Sequence, residues 1–130
     1  MATGYNVTLR NAQMDAITTF AGAGAKLRIY DGARPATGGT ATNLLAEFTL
    51  GSPFAPAASA AVLSPTLPAN TTGAAVGTAT WFRVTKADGT THVIDGSAGT
   101  AGTDMILNTA SITVGVTVAV TAWTATRGNA

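Results

Sequence analysis

Few side chains in this sequence can do acid–base or nucleophilic chemistry, and they are spread along the chain. His92 is the only histidine and Glu47 is the only glutamate. A Ser-His-Asp triad needs a serine elbow beside the histidine, and no Gly-x-Ser-x-Gly motif is present. A glycosidase needs a second carboxylate paired with the first. The sequence therefore predicts that the protein is not an enzyme, with no catalytic residue and with His92 as a structural strand residue.

Loop aspartates could instead bind calcium through their carboxylate oxygens. Asp31, Asp88 and Asp95 each precede a glycine, and Asp104 adds a fourth carboxylate. No Asp-x-Asp-x-Asp-Gly loop is present, and turn chemistry accounts for each Asp-Gly pair. The glycines at 22–24 follow a predicted helix, whereas a phosphate site has its glycines before one. We therefore predict no metal and no cofactor.

Three aromatic residues could stack on sugar rings, namely Tyr30, Trp81 and Trp123. Each lies in an alternating strand pattern, where a core or subunit-interface position is more common. Trp123 shares the parity of the threonines in its strand, so it is predicted to be the most exposed of the three. A carbohydrate-binding adhesin module is therefore kept as an alternative function.

Charge is scarce. Charged residues make up 10% of the chain and the net charge is +1, whereas an ordinary soluble domain has about 25% charged residues. The basic residues are scattered from Arg10 to Arg127, which argues against nucleic-acid binding. Low charge and a mean hydropathy of +0.29 predict that other subunits cover much of the surface. A compositional bias toward Thr, Ser and Ala is the alternative explanation.

Other classes of protein have little support from the composition. Cysteine is absent, so disulfides and cysteine-type zinc sites are excluded. No apolar run approaches the roughly 18 residues of a membrane span. The first residues lack the basic and apolar regions of a secretory signal, so neither a membrane nor a secretory destination is expected.

The length predicts a single domain, with residues 1–8 as an N-terminal arm and residues 9–130 as the domain. Asn11 is predicted to cap one short helix, and Gly22 is predicted to end it. Two sets of apolar residues have helical spacing. The first set is Met14, Ile17 and Ala21, and the second is Ala12, Ala16 and Phe20.

Alternating patterns predict seven or eight short strands. The main ones cover residues 26–30, 45–50, 77–86, 91–95, 105–107 and 116–126. The proline-rich segment 53–68 is predicted to be a loop with an edge strand near 62–67. Asp88-Gly89 is predicted to form a type I′ hairpin turn, and 96–102 a loop. The expected fold class is mainly β: an antiparallel β-sandwich, with the jelly roll as one form, and one short N-terminal helix.

The stretch 112–124 alternates almost without interruption, with apolar residues at even positions and mostly threonine, glycine and alanine at odd ones. A single strand of that length would exceed the usual five or six residues, so we predict a turn or bulge near Gly115. The uncharged face is predicted to lie against other protein through Thr117, Thr121 and Trp123. In the arm, Tyr5, Val7 and Leu9 are predicted to be interface residues as well.

Several turn-and-strand patterns occur together in a fixed order. They lie at residues 27–42, 44–47, 77–83, 95–100 and 124–129. In this combination the chain resembles small structural proteins encoded by tailed bacteriophages and prophages, and the resemblance spans roughly residues 10–129. It implies a virion component but brings no functional site with it.

The expected function is that of a capsid decoration, or cement, protein that binds the major capsid protein as a homo-oligomer, with a trimer favoured. The expected location is the virion, assembled in the host cytoplasm. A tail or neck accessory protein is the alternative within the virion.

Overall fold

The computed structural model describes residues 4–126, and side chains through residue 125. The chain is mainly β with one helix, as predicted. The elements are α1 (Val7–Ala21), β1 (Lys26–Tyr30), β2 (Leu44–Thr49), β3 (Val62–Leu63), β4 (Thr71–Thr72), β5 (Gly77–Thr78), β6 (Trp81–Thr85), β7 (His92–Gly99), β8 (Met105–Leu107), β9 (Ser111–Ile112), β10 (Thr117–Val118), β11 (Val120–Trp123) and β12 (Ala125–Thr126).

Helix α1 begins earlier than predicted. Asn6 is the N-cap, because its extended backbone lets the side-chain oxygen accept a hydrogen bond of 2.8 Å from the Thr8 N–H. The predicted cap, Asn11, is wrong. It lies inside the helix, where its Oδ1 accepts a 2.7 Å hydrogen bond from the Ala61 N–H instead. The last two residues of the predicted arm are therefore helical, and Gly22 ends the helix as expected.

Six strands form the main sheet, in the order β11-β8-β7-β6-β1-β2. The β7–β8 pair is parallel, with Ala98 opposite Met105, so the prediction of a wholly antiparallel arrangement is wrong. Strand β7 also runs to Gly99, through the first half of the predicted loop at 96–102. The short strands pair as β3–β12, β4–β10 and β5–β9, each antiparallel.

The β6–β7 hairpin is present, but its turn differs from the prediction. Gly89 has a φ of +75°, whereas Asp88 does not have positive φ, so the turn is not type I′. The Asp88 carboxylate accepts hydrogen bonds from the N–H groups of Thr90 and Thr91, both at 2.9 Å. This side chain holds a longer loop, which the Asp-Gly pair alone does not reveal.

Positive φ at two consecutive turn residues occurs instead at Ala60 and Ala61, with φ of 52° and 61°. Ser59 and Val62 flank them and exchange backbone hydrogen bonds of 3.0 and 2.9 Å. Alanine gains nothing from this conformation, because its Cβ crowds the following carbonyl. The turn lies beside α1, where Asn11 accepts the Ala61 N–H.

The main sheet has one apolar and one polar face. Cross-strand pairs such as Leu27–Phe48 and Leu27–Val84 lie on the apolar face, which forms the core with the inner side of α1. Arg28 lies opposite both Glu47 and Arg83 on the other face. The alternation of β1, β2 and β6 thus separates the core from a charged surface.

The C-terminal stretch turns at Gly115, as predicted. This glycine has a φ of +86°, and its N–H donates to the Gly73 carbonyl at 3.0 Å. The segment that follows is not one strand over 116–126 but three, β10, β11 and β12, which pair with β4, β8 and β3. Each of these short strands therefore belongs to a different strand pair.

Trp123 is buried, with 4% of its surface exposed, so its prediction as an exposed interface residue is wrong. The register of β11 on β8 shifts between Val120 and Ala122. This irregularity moves Trp123 onto the inward side that Val120 also occupies, and leaves Thr121 and Ala122 exposed. The indole packs edge-on against Phe82, with ring centroids 5.4 Å apart.

Candidate interaction surface

The polar face of the sheet carries two ion pairs. Arg28 Nε lies 2.6 Å from Glu47 Oε2, and both side chains are partly exposed. Arg83 binds Asp95 through two bonds, Nε to Oδ1 at 2.7 Å and Nη2 to Oδ2 at 3.0 Å. These residues are far apart in the sequence, and only strand pairing brings them together. In the sequence, the signal for this face was that Arg28 alternates with apolar residues in a predicted strand.

The loop at 31–43 covers part of this face. The Trp81 indole N–H donates to the Asp31 carbonyl at 3.1 Å and to Thr42 Oγ1 at 3.0 Å. Tyr30 stacks on Trp81 with ring centroids 4.5 Å apart, and the Gly38 N–H of the loop donates to the sheet. Both rings are buried, so they offer no platform for a sugar.

Asp95 joins this loop to the sheet. Its Oδ2 accepts the Gly38 N–H at 3.0 Å in addition to the Arg83 contacts. Burial alone would raise the pKa of Asp95, but the hydrogen bonds from Arg83 and Gly38 outweigh burial and hold it below its usual range. His92 Nε2 lies 3.2 Å from Asp95 Oδ1, in a geometry that makes no hydrogen bond. The Asp95 carboxylate is therefore engaged in contacts that hold the loop at 31–43 on the sheet.

The remaining aspartates also have structural partners. Asp104 Oδ2 accepts from the Ser97 N–H and hydroxyl, both at 3.0 Å, and Asp31 Oδ1 accepts from the Asn43 N–H at 3.2 Å. The hydroxyl and N–H of Thr91 lower the pKa of Asp88 to about 2. Within residues 4–126, no three histidine or acidic side chains lie close enough to hold a metal ion.

Helix α1 has apolar residues on both of its faces. Met14 and Ala21 are buried against the core, and Ile17 packs partly against it. The opposite face forms an exposed row at helical spacing, which we call the α1 stripe. Its members are Leu9, Ala12, Ala16 and Phe20. Leu9 is 48% exposed and Phe20 is 49% exposed.

No charge interrupts the α1 stripe. The charged residues of α1 are Arg10 and Asp15, both half-buried on its flanks, and Asp15 Oδ1 accepts the Ala58 N–H at 2.7 Å. A surface helix normally places charged residues opposite its core-facing side. In the sequence, the signal for this stripe was the second set of apolar residues at helical spacing, Ala12, Ala16 and Phe20.

An open groove of about 620 Å³ lies between α1 and β7. Ala16, Ile17, Thr19 and Phe20 line it from the helix, and Val93 lines it from the strand. At its edge, Lys86 Nζ lies 4.3 Å from the centre of the Phe20 ring. The groove extends the apolar surface of the α1 stripe onto the sheet.

Two further apolar residues, Val76 and Val114, are 72% and 71% exposed. They are the most exposed large hydrophobic residues among those that the structure describes. Their segments run antiparallel, because Gly77 pairs with Ile112 and Gly73 bonds to Gly115.

The structure places the predicted interface residues in different settings. Tyr5, Val7 and Leu9 are exposed at the start of α1. Thr117 and Thr121 are also exposed, and the Thr121 hydroxyl donates to a backbone carbonyl of β8 at 3.2 Å. The apolar surface of α1 and its groove thus extends beyond the predicted N-terminal residues.

No protein-family model, curated protein or solved structure matches this chain. In the part of the chain that the structure describes, no helix is both long and apolar enough to cross a membrane.

Proposed function

We propose that this protein is a structural subunit that binds other protein through the α1 stripe and the adjoining groove. The apolar character of both faces of α1 carries the proposal. A second apolar row on the side of a helix that faces away from the core is unfavourable in water until other protein covers it. A partner that covers the α1 stripe would bury the apolar side of the helix that the isolated chain leaves exposed.

The charge distribution supports the same function. Four charged residues form two ion pairs on the polar face of the sheet, Arg28 with Glu47 and Arg83 with Asp95. The α1 stripe carries no charged residue. Contiguous exposed apolar surface of this kind is typical of a contact with another protein.

We further propose that the chain is a virion component of a tailed bacteriophage, a capsid decoration protein bound to the major capsid protein, with a trimer favoured. The support is the resemblance of the sequence patterns together with the apolar surface of α1. A tail or neck position is the alternative. The carbohydrate-binding alternative loses support, because Tyr30, Trp81 and Trp123 are all buried.

For the architecture, we propose a two-layer sandwich in which the small ladders form the second layer. The main sheet would be the first layer. The support is that Leu63, Ile112 and Val118 of the short strands belong to the same buried cluster as Leu27 and Phe48 of the main sheet. Two sheets packed about 10 Å apart would enclose such a core.

The binding surface can be tested with Ala12→Glu, in the middle of the α1 stripe. Glutamate is a good helix former, so the fold should persist while a charge enters the contact. Leu67→Glu, at an exposed apolar residue outside the α1 stripe, is the matched control. Both proteins are added to particles of the encoding phage that lack this subunit, and bound protein is counted after sedimentation.

We expect Ala12→Glu to lose binding while its melting temperature stays that of the wild type, and Leu67→Glu to bind normally. Cryo-electron microscopy of the particle then shows whether α1 faces the shell or the tail. Undiminished binding by Ala12→Glu, or α1 facing water in the particle, would contradict the proposed surface.

A further inference from the structure

We propose that residues 32–42 form a lid that opens while the main sheet stays folded, and that its opening uncovers a polar cluster of Arg83, His92 and Asp95. The lid lies apart from the α1 stripe, so the proposal goes beyond the proposed function. It rests on how unevenly the lid is fastened. Several contacts hold its two ends together, whereas one hydrogen bond holds its centre on the sheet.

The two ends of the lid meet at a neck formed by Asp31 and Asn43. The Asp31 N–H donates to the Asn43 carbonyl at 3.3 Å, and the Asn43 N–H donates to Asp31 Oδ1 at 3.2 Å. The buried Trp81 indole donates to the Asp31 carbonyl and to Thr42 Oγ1, so the neck is fastened to the sheet. A surface loop of this length whose ends are joined is an Ω-loop, a form that is frequently functional.

The centre of the lid is held less firmly than the neck. Among the described residues, a single hydrogen bond joins residues 33–41 to the rest of the chain, from the Gly38 N–H to Asp95 Oδ2 at 3.0 Å. Every residue of 32–42 is exposed or half-buried. Segments with few buried contacts open at a lower free energy than the core of a protein. Opening the lid therefore breaks one hydrogen bond to the sheet and leaves the neck intact.

The cluster beneath the lid comes from β6 and β7. The register of β7 on β6 shifts once, and this irregularity places His92 on the same face as Asp95. The Asp95 side chain is 2% exposed and that of Arg83 is 11% exposed. A Cβ placed on Gly38 would lie 3.9 Å from the His92 ring. The centre of the lid thus covers the imidazole.

One atom of this cluster is unfavourable in the closed state. His92 Nε2 is buried and makes no hydrogen bond, although it lies 3.2 Å from Asp95 Oδ1. A buried polar atom without a partner has lost its bonds to water and gained none in return. Because the lid covers the ring, its opening lets water reach Nε2. Hydration of this nitrogen offsets part of the cost of breaking the Gly38 bond, so the two states are close in free energy.

The open state exposes groups that the closed state hides. Asp95 loses the Gly38 donor but keeps both bonds to Arg83, so the ion pair stays on the sheet. One carboxylate oxygen and one imidazole nitrogen then become accessible to a partner. The lid therefore controls access to the only histidine of the chain.

Amide hydrogen exchange measures the lid and the sheet in one experiment. The Gly38 N–H reports on the lid, and the Val84 N–H reports on the sheet, because β6 is paired on both sides. Relative to its intrinsic rate, we expect Gly38 to exchange at least about a hundredfold faster than Val84. Low concentrations of urea should accelerate exchange at Val84 alone, because only unfolding of the sheet exposes much surface.

Two results of this experiment would overturn the proposal. Equal opening free energies and equal urea dependence at Gly38 and Val84 would mean that the lid opens only when the sheet unfolds. Exchange of Gly38 at its intrinsic rate would mean that no closed lid exists.

Two substitutions test the opposing contributions to closure. Asp95→Asn weakens the acceptor and should speed exchange at Gly38 about tenfold beyond any change at Val84. His92→Phe replaces the unpartnered nitrogen with the edge of an aromatic ring, which carries positive partial charge, so exchange at Gly38 should slow about threefold or more. Arg34→Ala is the matched control, because Arg34 lies on the lid, is exposed and forms none of the described salt bridges.

A second variant, His92→Leu, guards against a packing effect of the larger ring. It also removes the nitrogen, so it should slow exchange at Gly38 in the same direction. Faster or unchanged exchange at Gly38 in both histidine variants, with Val84 as in the wild type, would show that His92 does not oppose closure and would contradict the proposed balance.

Discussion

The polar face of the main sheet and the outward face of α1 are opposites. On the sheet, charged and aromatic side chains that look chemically active have partners within the chain, as Asp95 has in Arg83 and the Gly38 N–H. On α1, chemically inert side chains such as Leu9 and Phe20 remain exposed. The reactive groups of the sheet have partners within the chain, apart from His92 Nε2, whereas the apolar row on α1 has none.

This difference shows why residue type alone is a poor indicator of a site in this protein. A buried carboxylate with several donors is held in one ionisation state and one geometry, which suits a structural joint. An exposed apolar row gains free energy only when something covers it. The contrast predicts that mutations on the sheet act on folding and those on the α1 stripe act on association.

The largest expected effect compares the two faces of α1. Met14→Ala removes a core side chain that is 5% exposed, and it should lower the free energy of unfolding by about 3 kcal/mol. Leu9→Ala, at a side chain that is 48% exposed, should change it by less than about 0.5 kcal/mol but weaken association. Urea denaturation and sedimentation measure the two quantities. Equal losses of stability would erase the distinction between the faces.

The next effect compares the two ion pairs of the polar face. Asp95→Asn removes a charge whose side chain is 2% exposed, and should cost about 2 kcal/mol of stability. Glu47→Gln, at a side chain that is 38% exposed, should cost less than about 1 kcal/mol. Amide hydrogen exchange at Gly38 should rise in the first variant only. A change at Gly38 in both would mean that the loop depends on the whole face.

A smaller effect is expected at the turn beside α1. Ala60→Gly should raise the free energy of unfolding by about 1 kcal/mol, because glycine adopts the observed φ of 52° without strain. Ala57→Gly, at an exposed alanine without positive φ, should lower it slightly. Thermal unfolding of both proteins gives the sign. Destabilisation by Ala60→Gly would show that the turn is not strained.

The smallest effect is a pH dependence from the hairpin loop. The folded pKa of Asp88 is about 2, below the ordinary value of 3.8, so its contribution is fully present above about pH 4. That contribution is lost as the pH falls toward 2, because the protonated carboxyl no longer accepts the N–H groups of the loop. Asp88→Asn should flatten the decline in melting temperature over this range. A decline of unchanged slope would assign it to other carboxyls.

Local patterns predicted much of the fold. Alternation located β1, β2, β6 and β8, and glycine chemistry predicted the end of α1 and the turn at Gly115. The cap of α1 was misplaced because both Asn6 and Asn11 have a suitable side chain, and only the backbone conformation of Asn6 decides between them. Trp123 was misplaced because one bulge reverses the parity of everything after it.

The candidate surface was only half predictable. The sequence shows two apolar sets at helical spacing, but spacing does not say which set meets the core. The groove depends on the contacts that place Val93 of β7 beside Ala16, Ile17 and Phe20 of α1. Such contacts join residues that are distant in the chain.

By itself, the sequence determined the class of this protein: a mainly β chain with one helix, few charges and no cysteine. These properties follow from residue type and short-range periodicity, which act within a few residues. Only the tertiary structure decided that Asp95 holds a loop, that Trp123 is core, and that the α1 stripe faces outward. Those outcomes depend on strand order and register, which balance burial over the whole chain.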